Sequence, residues 1–301
     1  MKTVTKPSLM SRGAAATLAC VWEVTAPKPG NVYRGADFDD VTYQDFIDSA
    51  VVIGPVFERA QEAGVGRTVF DAVGATREAV GTNTNLGTLL LLAPLAAVPD
   101  GMSHADGIGK VLAGLTHDDA WHVYTAIRLS GAGGLGDARE ADVFDDFPAN
   151  LNLVEAMRLA ADFDLVARQY TNNFADVLAG TVEWIASGIH RNWPLSTAIV
   201  HAHLSHLARH GDSLIYRKCG QQVSDEARNR ASHVLAVGIP GDDAYGRAVA
   251  DFDRWLRGDG HRRNPGTTAD FIAAGLFVLL REGRIESKDL SMAPGGMLSP
   301  R

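Results

Sequence analysis

Residues 86–98, LGTLLLLAPLAAV, are almost devoid of polar side chains. A helix that is apolar on every face cannot sit on a surface, so other elements must cover it all round. Residues 267–280 are nearly all apolar after their first turn and are expected at the centre too. Gly87, Thr88 and Pro94 interrupt the first stretch, which falls short of the ~18 apolar residues that mark a membrane-spanning helix. Around these two stretches the pattern is amphipathic. Tyr43, Phe46, Ile47, Ala50 and Val51 recur at helical spacing after Thr42, a plausible N-cap. Ala120, Val123, Tyr124 and Ile127 form a stripe within 118–130. Residues 164–187, 194–210, 221–237 and 242–256 read as further helices, the second of these opening on Pro194 and closing at Gly211. Strand-type alternation is scarce and no Pro/Ser-rich linker divides the chain. The expectation is an all-α fold, one helical domain over 1–301 with its core at roughly 15–282, and a site built from the loops.

With 46% hydrophobic and 21% charged residues, 301 residues can bury a sizeable core. Acidic residues outnumber basic ones 36 to 28, giving a net charge of -8, which argues against nucleic-acid partners and anionic membranes. A few clustered cations still suffice to take an anionic substrate. The opening MKTVTKPSLMSRG lacks the apolar run of a signal peptide, and Cys20 and Cys219 are too few for a disulfide framework. A cytoplasmic protein is expected, with a homodimer as the default assembly.

The chemistry-bearing residues fall in loops at 26–40, 81–85, 99–109, 131–150, 211–220 and 258–266. In Pro27-Lys28-Pro29-Gly30-Asn31 two prolines stiffen the chain around a lysine suited to meeting phosphate. Asp37, Asp39 and Asp40 follow, oxygen-rich chemistry that suits Mg²⁺; the plainer reading is a solvated acidic turn before the helix at Thr42. Gly81-Thr82-Asn83-Thr84-Asn85-Leu86-Gly87 precedes the most apolar helix, where backbone N–H groups favour an anion or simply accept a cap. Residues 130–141 contain GAGGLG, but no strand precedes it, so a loop presenting Arg139 and Glu140 is a better reading than a dinucleotide fingerprint. Asp212, Arg217 and Lys218 occupy the loop 211–220; together they can hold a metal-bound polyphosphate, or simply join two helices. Asn264 opens a turn into the last apolar helix, and Asp270 lies in its first turn, where the helix dipole stabilises a carboxylate. His203, His206 and His210 share one helical face at zinc-compatible spacing, yet without an HExxH arrangement or a nearby thiolate they read more simply as partly buried or surface histidines.

Taken in order, PKPGNV, GADFDD, TNTNLG, the Gly-rich loop ending in REA, GDSLIYRKCG and NPGTTADFIAA resemble the triphosphoribosyl-dephospho-CoA synthase family over roughly residues 15–282. That resemblance implies an all-helical enzyme that displaces adenine from ATP with the ribose 2′-hydroxyl of 3′-dephospho-CoA, making a prosthetic-group precursor for acyl carriers. The chain departs from the family pattern in two places. Asp37 stands where the family has His, and Asn85-Leu86 where it has His-Lys. Leucine cannot contact phosphate as lysine would, so the acceptor is left open between 3′-dephospho-CoA and a related CoA-like cofactor precursor.

Breaking an N-glycosidic bond develops positive charge at the ribose C1′, which carboxylates stabilise. The resemblance therefore implies Asp39, Asp212 and Asp270 as catalytic carboxylates, and these with Asp37 as ligands of Mg²⁺. Lys28, Arg217 and Arg139 are expected on phosphates, Asn83 and Glu140 on ribose or base, and Asn264 as a further substrate- or phosphate-binding residue. Three rival readings remain: a Mg-ATP-dependent kinase, which would release ADP; a nucleoside hydrolase, with water as acceptor; and a non-enzymatic nucleotide-binding helical protein.

Overall fold

The computed structural model describes residues 10–131 and 151–285. Among these the chain forms α1 (Arg12–Thr25), α2 (Tyr43–Glu58), α3 (Ala60–Ala63), α4 (Val65–Val80), α5 (Leu86–Ala96), α6 (His104–Ala113), α7 (His117–Ser130), α8 (Leu153–Arg158), α9 (Leu165–Thr171), α10 (Val182–His190), α11 (Leu195–His210), α12 (Ser213–Cys219), α13 (Gln221–Ala236), α14 (Asp243–Arg257) and α15 (Gly266–Arg281). A four-residue extended segment, Gly258–His261, and an isolated bridge between Tyr33 and Ala36 are the only strand-like features among the described residues. The all-α expectation holds. No described helix is long and apolar enough to cross a membrane.

The two apolar stretches do form the centre. α5 packs against α15, α4, α6 and α9, and α15 is covered in turn by α1, α10 and α11. Pro94 lies inside α5. Its ring nitrogen has no hydrogen to give the Leu90 carbonyl one turn earlier. The hydroxyl of buried Tyr170 donates to that carbonyl instead, at 2.7 Å. A second hydrophobic cluster joins α11, α12, α13 and α14 through Leu204, Leu207, Ile215, Ala231 and Phe252. Helix starts follow the expected chemistry: Thr42 with Asp45, Thr116 with Asp119 and Asn152 with Glu155 close capping boxes at α2, α7 and α8.

The structure departs from the sequence reading in three places. Residues 164–187 are not one helix. Asn173 and Phe174 take left-handed φ values of 56° and 58° after α9, and a π-helical stretch, Asp176–Thr181, leads into α10. Asp176 supports this break by accepting hydrogen bonds from Gln169 Nε2 (2.7 Å), Arg168 Nε (3.0 Å) and Asn172 Nδ2 (3.1 Å). The loops expected at 99–109 and 211–220 contain α6 and the seven-residue α12, started by Ser103 and Asp212 as side-chain caps.

Two of the histidines of α11 lie deeper than the partly buried or surface positions expected, while His201 and His210 are half-buried. His203 and His206 are fully buried, and both ring nitrogens of His203 lack a hydrogen-bond partner. Among the described residues no group of three or more His, Cys, Asp or Glu side chains is arranged to hold a metal ion. Burial holds both imidazoles well below the ordinary histidine range, with Lys28 adding repulsion at His203 and His210 at His206. The folded state therefore refuses protons that the unfolded chain accepts below about pH 6.5. Each such histidine costs about 1.4 kcal/mol of stability per pH unit below that point. Urea unfolding of a His203→Leu variant between pH 6 and pH 5 is expected to show a slope shallower than the parent's by about that amount. An unchanged slope would remove the assignment.

Candidate active site

A cavity of about 570 Å³ opens between α1, the loop after it, the start of α5, α12 and the turn into α15. The loop Pro27 to Val32 forms its frame. Gly30 adopts φ 73°, a conformation that disfavours side chains, and its N–H donates to Asp253 Oδ1 at 2.7 Å. Asn31 Nδ2 donates to the Pro265 carbonyl at 3.1 Å, and Arg257 donates to the Asn31 carbonyl at 2.6 Å. These bonds tie the loop to α14 and to the entry of α15.

One wall is acidic. Asp270 lies on the cavity wall from the second turn of α15, one turn later than the sequence suggested because the helix already begins at Gly266, and it accepts from Thr88 Oγ1 at 2.6 Å. Burial, reinforced by the charges of Glu23 and Asp212, raises its carboxyl to about 8 against the pull of Thr88 and Arg217. Glu23 and Cys20, on the last turns of α1, line the same wall. Burial raises the Glu23 carboxyl while Lys28 opposes it, and burial raises the Cys20 thiol. Gly87 is what lets α5 approach: a Cβ there would overlap the Asp270 carboxylate. Gly87→Ala is therefore expected to displace Asp270 and cut turnover at least tenfold with little loss of melting temperature; parent-like kcat would rule this out.

Another wall is cationic. Arg217 lines the cavity from α12 and pairs with Asp164 Oδ2 at 2.5 Å, leaving its Nε buried without a partner. Asp164 also caps α9 through Val166 N (2.8 Å) and Ala167 N (3.1 Å), so it fixes the guanidinium against a rigid helix start. Lys218 lies beside it, and burial lowers its ammonium. His261 stacks on Phe38 with ring centroids 5.1 Å apart and reaches Asp40 at 3.5 Å. Asn264 presents a buried Oδ1 that has no partner. Between these walls Val32, Phe46, Leu90, Ile127 and Phe163 supply apolar surface.

Of the residues expected from sequence, Asp270, Arg217, Asn83 and Asn264 meet at this cavity. Asn83 Oδ1 accepts from Leu86 N at 3.1 Å, shaping the start of α5. Lys28 is completely buried. Asp212 is also buried, and its two carboxylate oxygens accept from Leu214 N, Ile215 N, Thr268 N and Thr268 Oγ1 at 2.7–3.1 Å. Asp37 and Asp39 are exposed and absent from the cavity wall; Asp37 accepts from Tyr43 N at 2.6 Å. Asp37, Asp39, Asp212 and Asp270 thus form no common metal cluster. Arg139 and Glu140 lie outside the described residues. Lys218, paired with Arg217 in the sequence reading, lines the cavity too, whereas sequence reasoning missed Glu23, Thr88 and His261 as wall residues. A glutamate set among the apolar residues of CVWEV, five positions before Lys28, was the available signal for Glu23.

A family model described as ATP:dephospho-CoA triphosphoribosyl transferase matches residues 10–289. No curated protein sequence matches significantly. Among solved structures, a protein from Archaeoglobus fulgidus, provisionally assigned as a triphosphoribosyl-dephospho-CoA synthase, is similar with a TM-score of 0.60 and 26% identity. The similarity covers 78% of this chain and 98% of that one.

Proposed function

The chain belongs to the ATP:dephospho-CoA triphosphoribosyl transferase family, and from that premise we propose that its cavity is where the triphosphoribosyl group of ATP passes to an acceptor hydroxyl. The acceptor is 3′-dephospho-CoA or a related cofactor precursor. The observation that carries this reading is one cavity holding both a carboxyl raised to about 8, Asp270, and the cations Arg217 and Lys218. A nucleoside triphosphate needs both: a proton donor near its glycosidic bond and positive charge on its phosphates.

In the proposed reaction the C1′–N9 bond of ATP breaks and a C1′–O bond to the acceptor forms. The acceptor hydroxyl loses a proton, and adenine leaves having gained one. Asp270, protonated at neutral pH, supplies the proton to the departing base. The triphosphate is a handle, not a leaving group, and Arg217 and Lys218 hold it still. Asn264 and Asn83 orient ribose or base. Positioning of this kind supplies up to about 7–11 kcal/mol of barrier reduction in the best cases. The four aspartates expected to bind Mg²⁺ do not fit a protein-held ion, since Asp212 spends both oxygens on internal donors and Asp37 and Asp39 are exposed residues that do not line the cavity. Magnesium enters as part of the MgATP substrate. One cytoplasmic catalytic unit is proposed, because the cavity draws on residues from Cys20 to Asp270. No feature of the described residues favours phosphotransfer or nucleoside hydrolysis.

The test is mass spectrometry of the protein incubated with ATP, Mg²⁺ and 3′-dephospho-CoA. Free adenine and a triphosphoribosyl adduct are expected. Adenine without the adduct would keep the chemistry and move the acceptor. ADP or phosphate without adenine would reject the reading.

A further inference from the structure

We infer that Glu23 is the second reacting carboxylate of this site, and that Lys28 is its positioning residue and not a phosphate ligand. The inference rests on the transferase reading above. It begins with a count of donors. An ammonium group has three N–H bonds. In Lys28 they go to Glu23 Oε1 at 2.8 Å, to the Glu23 carbonyl, and to the Ala26 carbonyl at 3.2 Å. The side chain is fully buried. No donor remains for a substrate, and no path leads one to it.

Glu23 is differently placed. It lines the cavity, with its side chain 12% exposed. The charges around it come from three elements: Lys28 from the following loop, Asp270 from α15, and the Cys20 thiol one turn earlier on α1. Asp270 in turn faces Glu23, Asp212 and Arg217, and takes a hydrogen bond from Thr88. Glu23 and Asp270 line one cavity and the Glu23 charge acts on Asp270, so their surroundings decide which one keeps the proton. Glu23 has a buried cation at 2.8 Å, whereas Asp270 has a neutral hydroxyl at 2.6 Å. Burial raises both carboxyls, and Lys28 opposes that rise at Glu23, so in this inference Glu23 has the role of carboxylate and Asp270 that of carboxylic acid.

That split suits the transfer. As C1′–N9 breaks, Asp270 gives its proton to adenine and the Glu23 carboxylate faces the positive charge developing at C1′. As C1′–O forms, Glu23 takes the acceptor's hydroxyl proton. Net proton transfer from Glu23 to Asp270 through solvent then restores the starting state. Lys28 acts only by holding Glu23 ionised and aimed.

The experiment compares the parent with Glu23→Gln, Lys28→Met and the double variant E23Q/K28M, measuring adenine release, ATP binding and the pH dependence of kcat/KM. The double variant removes both charges together, so it avoids leaving one buried charge alone and stays folded where a single variant does not. Glu23→Gln and the double variant are expected to lose at least a hundredfold in kcat while the ATP Kd moves less than about threefold. Lys28→Met is expected to shift the acid limb of the profile to higher pH, because loss of the cation makes Glu23 easier to protonate. A folded double variant within threefold of parental kcat would overturn the role of Glu23. An acid limb that stays in place in Lys28→Met would overturn the positioning role. Absence of adenine release from the parent itself would instead reject the transferase reading.

Discussion

Asp270→Asn is expected to lower kcat for adenine release by about 10²- to 10⁴-fold at pH 7, the range that general acids contribute. Asparagine keeps the shape and the contact with Thr88 but cannot hand a proton to the departing base. ATP affinity should change only a few-fold, because the proposed phosphate ligands, Arg217 and Lys218, lie on α12 and not on α15. The same carboxyl predicts the pH behaviour of the parent enzyme. With a value of about 8, it is protonated through neutrality and ionises above that point. Turnover should therefore fall on the alkaline side of about pH 8. Stability follows the same direction. A carboxyl that prefers its proton in the folded state contributes fully below about pH 4 and loses that contribution as pH rises through about 8. Asparagine does not ionise, so the melting temperature of Asp270→Asn should gain on the parent's between pH 4 and pH 8. Stopped-time chromatography of adenine, with thermal melts at both pH values, checks both halves. Parental turnover in a folded Asp270→Asn would remove Asp270 from the reacting centre.

Asp212→Ala has the largest expected effect on stability, about 3–5 kcal/mol. The carboxylate caps α12 through Leu214 N and Ile215 N and ties it to α15 through the N–H and hydroxyl of Thr268. Its loss leaves three buried donors and the partly buried Leu214 N without an acceptor and lets go the helix that carries Arg217 and Lys218. The melting temperature should drop by roughly 10 °C. At temperatures where the variant is folded, KM for ATP should rise more than kcat falls. A variant melting within 2 °C of the parent, by calorimetry, would show that the carboxylate is not the tie between α12 and α15.

Much of this was legible in the sequence. The central helices announce themselves because α5 and α15 are apolar all round, and no other folded environment accepts them. α7, α11, α13 and α14 carry a 3.6-residue stripe with a cap or a stop. α12 was not legible because seven residues span fewer than two turns, too few for a stripe to repeat; it is anchored because Asp212 finds Thr268, 56 positions away. For the same reason Asp212 passed for a metal ligand. Its acidity is a local fact, but two of the four donors that occupy it, the N–H and hydroxyl of Thr268, are tertiary ones. Lys28 shows the limit from the other side. The proline-flanked lysine is conspicuous, yet nothing local says that its three protons are consumed within its own loop and helix. Asp270 and Arg217 were found because a carboxylate at the head of so apolar a helix, and a cation beside a helix end, have few structural uses.

A crystal structure of Asp270→Asn with MgATP tests the central claim most directly. The triphosphate should lie on Arg217 and Lys218, with the ribose C1′ within contact distance of Glu23 and residue 270. A nucleotide bound outside this cavity, or turned so that its phosphates meet Glu23, would contradict the assignment of the two walls.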